Sequence, residues 1–352
     1  MVPDGLTKNL PEFSCPICKT RLERGVRCTE CKQDWPVSDG IADFRLEPET
    51  YWGVYPREFI IKFIERCRRT GFHPALKETF EKSDPSFYDY ILNDSRANWH
   101  FVLSLPADAR ILDSGCGWGT LSFALAKRFG EVVAFDSGRE MVELVSLRKE
   151  EERRRNLVPV CGQANYLPFP DGYFDLVVMN GVLEWVPFVE KDGDPAALQL
   201  KALKEARRVL KKGGCLYCAT ENRWSAINFL GCRDTHSGLR FAPVLPRWLA
   251  NLQSRIARGK DFREYTHTFR GHKRMIKEAG FSSSVFYAPL PSYRNFHYFL
   301  PLQDYRKIEF ALTHLFYARN NIQTFFIWLV NSFSLYRWVK YFVPDFSYTA
   351  FK

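Results

Sequence analysis

Residues 111–119 read Ile-Leu-Asp-Ser-Gly-Cys-Gly-Trp-Gly, and residues 132–136 read Val-Val-Ala-Phe-Asp about one helix later. An apolar run enters a turn with three alternating glycines, an amphipathic segment leaves it, and a second apolar run ends in an acid. This order predicts strand, glycine turn, helix and strand. Glycines let a ligand approach the backbone closely, and the terminal acid can accept hydrogen bonds from ribose hydroxyls. The stretch therefore predicts a nucleotide-type ligand between the turn and Asp136.

The carboxylate of Asp113 indicates what kind of nucleotide this is. The dinucleotide fingerprint G-x-G-x-x-G places a pyrophosphate at a helix N-terminus. Here Asp113 precedes the first glycine, Gly115, by two residues. A carboxylate repels a pyrophosphate and attracts a cationic ligand. S-adenosylmethionine, which carries a sulfonium and an ammonium group, fits this charge better.

Three later segments extend the pattern. Residues 162–178, 180–186 and 206–219 look like the third and fourth strand region, the turn after it, and the helix, glycine turn and fifth strand of class I S-adenosylmethionine-dependent methyltransferases. With the glycine turn, the chain resembles this family (a methyltransferase type 11-like core) over about residues 105–222. The resemblance implies an α/β fold with a Rossmann-like seven-stranded sheet.

The resemblance also implies a donor site. It implies that Gly115 and Gly117 line the methionine portion, that Asp136 binds the ribose, that Gln163 and Ala164 lie at the adenine edge and that Asn180 caps the methionine end. With the acid and the last glycine of the turn, the predicted set is Asp113, Gly115, Gly117, Gly119, Asp136, Gln163, Ala164 and Asn180. Gln163 stands where the family usually has an acid, so adenine binding should be weaker. Trp185 replaces a histidine common after the fourth strand, which puts a mechanism that depends on that histidine in doubt.

Two C-x-x-C pairs near the N-terminus predict a structural zinc site. Cys15 and Cys18 are followed about ten residues later by Cys28 and Cys31. Four thiolates satisfy tetrahedral zinc and leave no open position for catalysis; disulfides are the alternative. The predicted division of the chain is a zinc-ribbon module at 1–46, an N-terminal helical cover at 47–104 and a class I methyltransferase domain at 105–352.

Charge is unevenly distributed along the 352 residues. Residues 223–352 hold 19 Lys and Arg against 7 Asp and Glu, whereas the preceding part holds 31 against 33. The basic half points to an acidic substrate, a nucleic acid or an anionic membrane surface, or is a solvated face that aids solubility. Ten cysteines and no recognisable leader predict a cytoplasmic protein.

Residues 220–270 are predicted to frame the methyl acceptor, because ligands bind outside the carboxyl ends of parallel strands. A hydroxyl or acidic carbon acceptor needs a base. His236 is the preferred base and His267 the second choice, with Glu221 or Glu184 to orient the ring. The alternative is that these histidines are structural hydrogen-bonding residues.

A helical insert is predicted at 299–343, and its part at 322–343 is rich in aromatic residues. This part is borderline in length for a membrane span and carries charges near its end. It suits a helix pair packed on its own domain, an interfacial membrane helix or a dimer interface. The sequence leaves these three alternatives open, and with them the oligomeric state and a peripheral membrane location.

Three functional hypotheses follow from these patterns. The first is methyl transfer from S-adenosylmethionine to a small-molecule, lipid-linked or glycan acceptor. The second is an rRNA or tRNA base methyltransferase in which the zinc ribbon docks on RNA. Against it, the Asn-Pro-Pro-Tyr-type motif is absent, since Asn180-Gly181-Val182-Leu183 stands there instead. The third is a non-catalytic scaffold that keeps the fold.

Overall fold

The computed structural model describes residues 11–22, 27–46, 55–190, 192–315 and 321–352. Parts of the predicted zinc-ribbon module, helical cover and insert lie outside the described residues. The described strands are β1 (Val37–Ser38), β2 (Ile41–Asp43), β3 (Arg110–Ser114), β4 (Glu131–Asp136), β5 (Leu157–Cys161), β6 (Phe174–Asn180), β7 (Leu210–Glu221), β8 (Ser283–Leu290), β9 (Tyr298–Pro301) and β10 (Asp345–Phe351).

The helices are grouped before, between and after these strands. They are α1 (Arg57–Thr70), α2 (Phe72–Phe80), α3 (Pro85–Leu92), α4 (Thr120–Ala126), α5 (Arg139–Glu152), α6 (Val186–Val189), α7 (Pro195–Val209), α8 (Ala226–Phe229), α9 (Arg247–Arg258), α10 (Phe269–Glu278), α11 (Tyr305–Phe310), α12 (Asn321–Ser332) and α13 (Val339–Phe342). Tighter or wider helical turns lie at Asp94–Val102, Ala311–Leu315 and Leu335–Arg337.

One sheet organises the described chain, with strand order β1-β2-β5-β4-β3-β6-β7-β10-β8-β9. The neighbours from β2 to β7 are parallel, and β10 lies antiparallel between β7 and β8. Seven of these strands, from β5 to β8 in the order, form the sheet that the sequence predicts. The α/β, Rossmann-like fold class is confirmed, including the antiparallel last strand.

The central strands are buried on both faces, which explains their nearly unbroken apolar sequences. Alternate residues of a strand point to opposite faces. Leu112 and Val133 accordingly belong to one core cluster, and Ile111 and Val132 to the other. Because β3, β4, β6 and β7 are parallel, their carboxyl ends lie at one edge of the sheet. A ligand site is expected at this edge.

The N-terminal segment is joined to this sheet. Strand β2 pairs in parallel with β5, and the amide of Phe44 donates to the carbonyl of Cys161 at 2.8 Å. Phe13 packs against Phe169, with ring centroids 5.9 Å apart, and Lys19 pairs with Glu205 at 2.7 Å. The cysteine-bearing segment thus shares the core of the main domain.

Candidate donor cleft and acid–histidine cluster

The glycine turn after β3 has a backbone that side chains would disturb. Gly115, Gly117 and Gly119 have φ values of +84°, +50° and +79°, in the left-handed region that favours glycine. A Cβ at Gly115 would lie 2.3 Å from Val182, whereas one at Gly117 would meet nothing within 4 Å. The turn therefore packs tightly at its first glycine and leaves open space for a ligand at its second.

Asp136, at the end of β4, is bonded to this turn. One carboxylate oxygen accepts from the amide of Gly117 at 2.9 Å, and the other accepts from the amide of Gly138 at 2.8 Å. Burial raises the pKa of Asp136, and the backbone donors oppose that shift. A carboxylate has about four lone-pair sites, so acceptor capacity remains for ribose hydroxyls.

A cleft opens beside the turn, and we call it the donor cleft. Its lining includes four predicted cofactor residues, Gly115, Asp136, Gln163 and Ala164. Phe135, Val182, Trp185 and Val186 supply apolar walls. This combination of a few polar groups and apolar walls is typical of small-ligand sites.

The other predicted cofactor residues lie around the cleft and are not part of its lining. Asp113 is buried and accepts from the Ser122 hydroxyl at 2.5 Å; burial raises its pKa to about 6. Gly117 contacts the cleft through Asp136, and Gly119 directly precedes α4. Asn180 ends β6. The amide oxygen of Gln163 accepts from the amide of Leu46 at 3.3 Å, which connects the N-terminal segment to the predicted adenine edge.

The residues at the donor cleft fit S-adenosylmethionine. The side-chain oxygens of Asn180 and Ser114 are buried and have no hydrogen-bond partner among the described residues. Unpaired buried acceptors suit the ammonium group of the ligand, because leaving them unpaired is unfavourable. The open space at Gly117 and the carboxylate of Asp136 complete a set of groups that can surround a cationic nucleoside.

A second cluster of polar residues lies at the ends of β6 and β7. Nε2 of His236 is 3.5 Å from Glu221 and 4.0 Å from Glu184. We call these three residues the acid–histidine cluster. The structure thus brings together the preferred base and both of the acids predicted to orient it. The His236 side chain is 2% exposed, and neither ring nitrogen makes a hydrogen bond within the described residues.

Burial and neighbouring charges separate the two acids of this cluster. Burial, followed by the charge of Glu221, raises the pKa of Glu184 well above its ordinary value. Burial also acts to raise the pKa of Glu221, but His236 and Arg294 outweigh it and lower that pKa. The Tyr293 hydroxyl and the Arg294 guanidinium donate to Glu221 at 3.0 and 3.2 Å. These opposite directions favour a proton on Glu184 and the ionised form of Glu221.

Trp185 joins the donor cleft to the acid–histidine cluster. Its ring lines the cleft and stands edge-to-face with His236, at a centroid distance of 4.8 Å and an angle of 89°. On the other side, Gly181 leaves room for Tyr293, whose hydroxyl would lie 2.8 Å from an added Cβ. Trp185 thus contacts both the donor cleft and the acid–histidine cluster.

His267 lies outside this cluster. Its Nε2 is 2.7 Å from Gln199, whose amide also donates to the carbonyl of Leu183 beside Glu184. Burial, followed by the charges of His272 and nearby arginines, lowers the pKa of His267 well below its ordinary value. These contacts connect His267 to the turn that carries Glu184.

Tyr293 and Arg294 are site residues that sequence reasoning missed. They lie in a loop after β8, about 70 residues from Glu221, and no motif marks them. Only the pairing of β10 with both β7 and β8 brings that loop to the acid. The ligand atoms of the acid–histidine cluster, within 4.8 Å of one another, also have the spacing of a divalent-cation site.

The four N-terminal cysteines form a separate cluster. Sγ of Cys15 is 3.6 Å from Sγ of Cys31, and Sγ of Cys18 is 3.3 Å from Sγ of Cys28. All four sulfurs lie within 4.8 Å of one another. Bonds of about 2.3 Å in a tetrahedron place sulfurs about 3.8 Å apart, so the cluster fits zinc.

Comparison with known proteins identifies the central part of the chain. Residues 112–218 match the family described as a methyltransferase domain. These residues are a class I methyltransferase domain. The match begins in β3 and ends in β7, so the methyltransferase domain supplies the glycine turn, Asp136 and Glu184.

Curated relatives resemble the chain over this domain. An uncharacterized methyltransferase of Schizosaccharomyces pombe is 36% identical over 125 residues, which are 33% of this chain and 41% of the relative. The ubiquinone biosynthesis O-methyltransferase of Xanthomonas axonopodis is 32% identical over 168 residues, or 46% of this chain and 66% of the relative. The chain thus spans less than two thirds of either relative.

The solved structure of Haemonchus contortus phosphoethanolamine N-methyltransferase 2 with S-adenosyl-L-methionine has a TM-score of 0.46 and 16% identity to this chain. The match covers 82% of this chain and 60% of the Haemonchus protein.

Proposed function

We propose that this protein transfers a methyl group from S-adenosylmethionine to a small-molecule acceptor bound at the acid–histidine cluster. The observation that carries the proposal is the position of His236, which contacts Trp185 in the wall of the donor cleft. When bound, S-adenosylmethionine supplies an electrophilic methyl group. The chain's own residues must align the acceptor and remove its proton.

His236 is proposed as the general base. The ionised Glu221 lies 3.5 Å from Nε2 and favours a proton on that nitrogen. Nδ1, which is buried and makes no hydrogen bond within the described residues, is proposed to accept the proton of an acceptor hydroxyl. Tyr293 and Arg294 hold Glu221 in place, and the protonated Glu184 adds no second negative charge beside the ring. His267, bonded to Gln199, is better placed to position the turn of Glu184 than to contact the acceptor.

A lipid-linked acceptor and a cytoplasmic, membrane-peripheral location are proposed from the aromatic insert, residues 322–343. Its Phe325, Trp328, Phe333, Trp338 and Phe342 are 42% to 64% exposed. Such aromatic residues suit the interface between headgroups and acyl chains, and Arg337 and Lys340 suit anionic lipids. Within the described residues, every helix is too short or too polar to span a bilayer.

Zinc is proposed as the structural ion of the cysteine cluster. The sulfur spacing supports it, and so do the positions of Cys15 and Cys28 in the core shared with the main domain. When bound, zinc would fix the loops that carry the cysteines. It would thereby hold Phe13 and Trp35 in that core.

The substitution His236→Gln should reduce turnover by roughly 10²–10⁴ while the affinity for S-adenosylmethionine stays unchanged, because only proton removal is lost. The measurement is transfer of label from methyl-labelled S-adenosylmethionine into small-molecule and lipid fractions of a cell lysate. His73→Gln is the matched control and should retain most activity, because His73 pairs with Glu152 on α5, away from both sites. An unchanged rate in His236→Gln, or activity that disappears with chelator and returns with a divalent cation, contradicts the role of His236 as the base.

Purified wild-type protein should contain one zinc ion per chain by atomic emission. Cys18→Ser should lose the ion and melt at a lower temperature, because the cluster stabilises a segment that shares the main core. Cys232→Ser, at an exposed cysteine outside the cluster, is the control and should keep the zinc. The zinc site would be disproved if purified wild-type protein contained no metal and Cys18→Ser melted at the same temperature as wild type.

Wild-type protein should sediment with vesicles that contain anionic phosphatidylglycerol, and less of it should sediment at high salt. Trp328→Ala should weaken this binding, because it removes an exposed ring of the insert. Trp248→Ala removes an exposed ring from α9 and serves as the control. Absence of sedimentation at both salt concentrations refutes the membrane contact.

A further inference from the structure

A large apolar cavity lies between the aromatic insert and the main domain. Its volume is about 670 Å³, within the range of about 300–1,000 Å³ that is usual for small-ligand sites. Its walls come from α8, the end of β8, the Ala311–Leu315 turn, and the segment from α12 to Pro344. Apart from Ser225, His297 and Tyr298, the lining residues are apolar.

Two backbone segments connect the wall of the cavity to the acid–histidine cluster, although Glu184, Glu221 and His236 do not line the cavity themselves. Leu290 and Pro291 line it and directly precede the loop of Tyr293, whose hydroxyl bonds Glu221. Pro344 lines it too, and its carbonyl accepts from the amide of Asn222, the residue after Glu221, at 2.9 Å. One end of the cavity is therefore built from the segments that position Glu221.

One polar group in the cavity wall lacks a partner. Ser225 is 2% exposed, and its hydroxyl makes no hydrogen bond within the described part of the chain. A buried hydroxyl without a partner is costly, and a bound polar group would satisfy it. The amide of Ser225 donates to the carbonyl of Asn222, the residue after Glu221, at 3.0 Å, so this polar position is bonded to the segment that carries Glu221.

The cavity also has an opening. Trp338 and Phe342 line it and are 59% and 42% exposed, so its wall on the side of the insert reaches the protein surface. A chain-like ligand could enter there and extend inward. The polar end of such a ligand would then meet Ser225 and the cluster.

We propose that this cavity binds the long apolar chain of an amphiphilic methyl acceptor, with the reactive polar head at the acid–histidine cluster. The inference rests on the proposed methyltransferase function for the role of the head. Burial of the chain stabilises the complex, because each methylene group that enters the cavity is removed from water. An apolar chain is favoured over a polar ligand such as a sugar or a nucleotide, because the cavity offers few hydrogen-bonding groups.

The test is equilibrium binding of a fluorescent long-chain fatty acid, at concentrations below its micelle range, to the full-length protein. Ala226→Phe and Val330→Trp each place a bulky side chain at a position that lines the cavity, one in α8 and one in α12. Each should weaken probe binding at least tenfold and leave the affinity for S-adenosylmethionine unchanged. Ala257→Phe, at an exposed position on α9, is the control and should bind like wild type.

The proposal is overturned if wild type binds no probe, or if wild type and both filled variants bind the probe equally. Binding to anionic vesicles is measured on the same proteins. If the filled variants lose vesicle binding but still bind the probe, the proposal is also overturned, because the probe would then bind outside the cavity, on the protein surface. Probe binding that the filled variants lose, in a protein without methyl transfer, supports the cavity and rejects the proposed function. Methyl transfer that the filled variants retain, in a protein that binds no probe, supports the proposed function and rejects the cavity as the acceptor site.

Discussion

The hydrogen bonds from Gly117 and Gly138 to the carboxylate of Asp136 are the contacts on which the donor cleft depends. They join the turn after β3 to the end of β4, and in both cases the donor is the backbone amide of a glycine. The turn can take this shape because Gly115 leaves space for Val182 and Gly117 leaves space for a ligand. The same carboxylate that shapes the cleft thus retains acceptor capacity inside it.

The acid–histidine cluster extends this arrangement to a second site. Parallel packing of β6 and β7 places Glu184 and Glu221 at one sheet edge, and their surroundings separate their protonation states. Burial and the charge of Glu221 favour a neutral Glu184, whereas His236 and Arg294 favour an ionised Glu221. The base role proposed for His236 rests on its position between these acids and Trp185 in the wall of the donor cleft. The adjoining apolar cavity would bind the remainder of the acceptor.

Local sequence was enough to predict much of this architecture. The glycine turn and Asp136 lie within one strand–helix–strand unit, so their spacing carries the information. The two C-x-x-C pairs lie close together for the same reason. The proximity of Glu184 and Glu221 could also be anticipated, because strand ends meet at one edge of a parallel sheet, whereas His236 comes from the loop between α8 and α9.

Other features depend on contacts between distant segments and left no local signal. Tyr293 reaches Glu221 only because β10 pairs with both β7 and β8. Strand β2 joins the sheet beside β5, which places Leu46 against Gln163. The apolar cavity is assembled from segments between Ser225 and Pro344. Periodicity showed that the insert is apolar, but it could not show a cavity beneath it.

The most direct test of the central claim is calorimetric binding of S-adenosylmethionine to wild-type protein and to Asp136→Asn, with Asp171→Asn as a control at a carboxylate that is 76% exposed. A hydrogen bond to a charged group contributes about 1.5–3 kcal/mol, which corresponds to about 10–150-fold in affinity. We expect binding by wild type and the control, and a loss of about that size in Asp136→Asn. Absence of binding by wild type, or equal affinity in all three proteins, would contradict it.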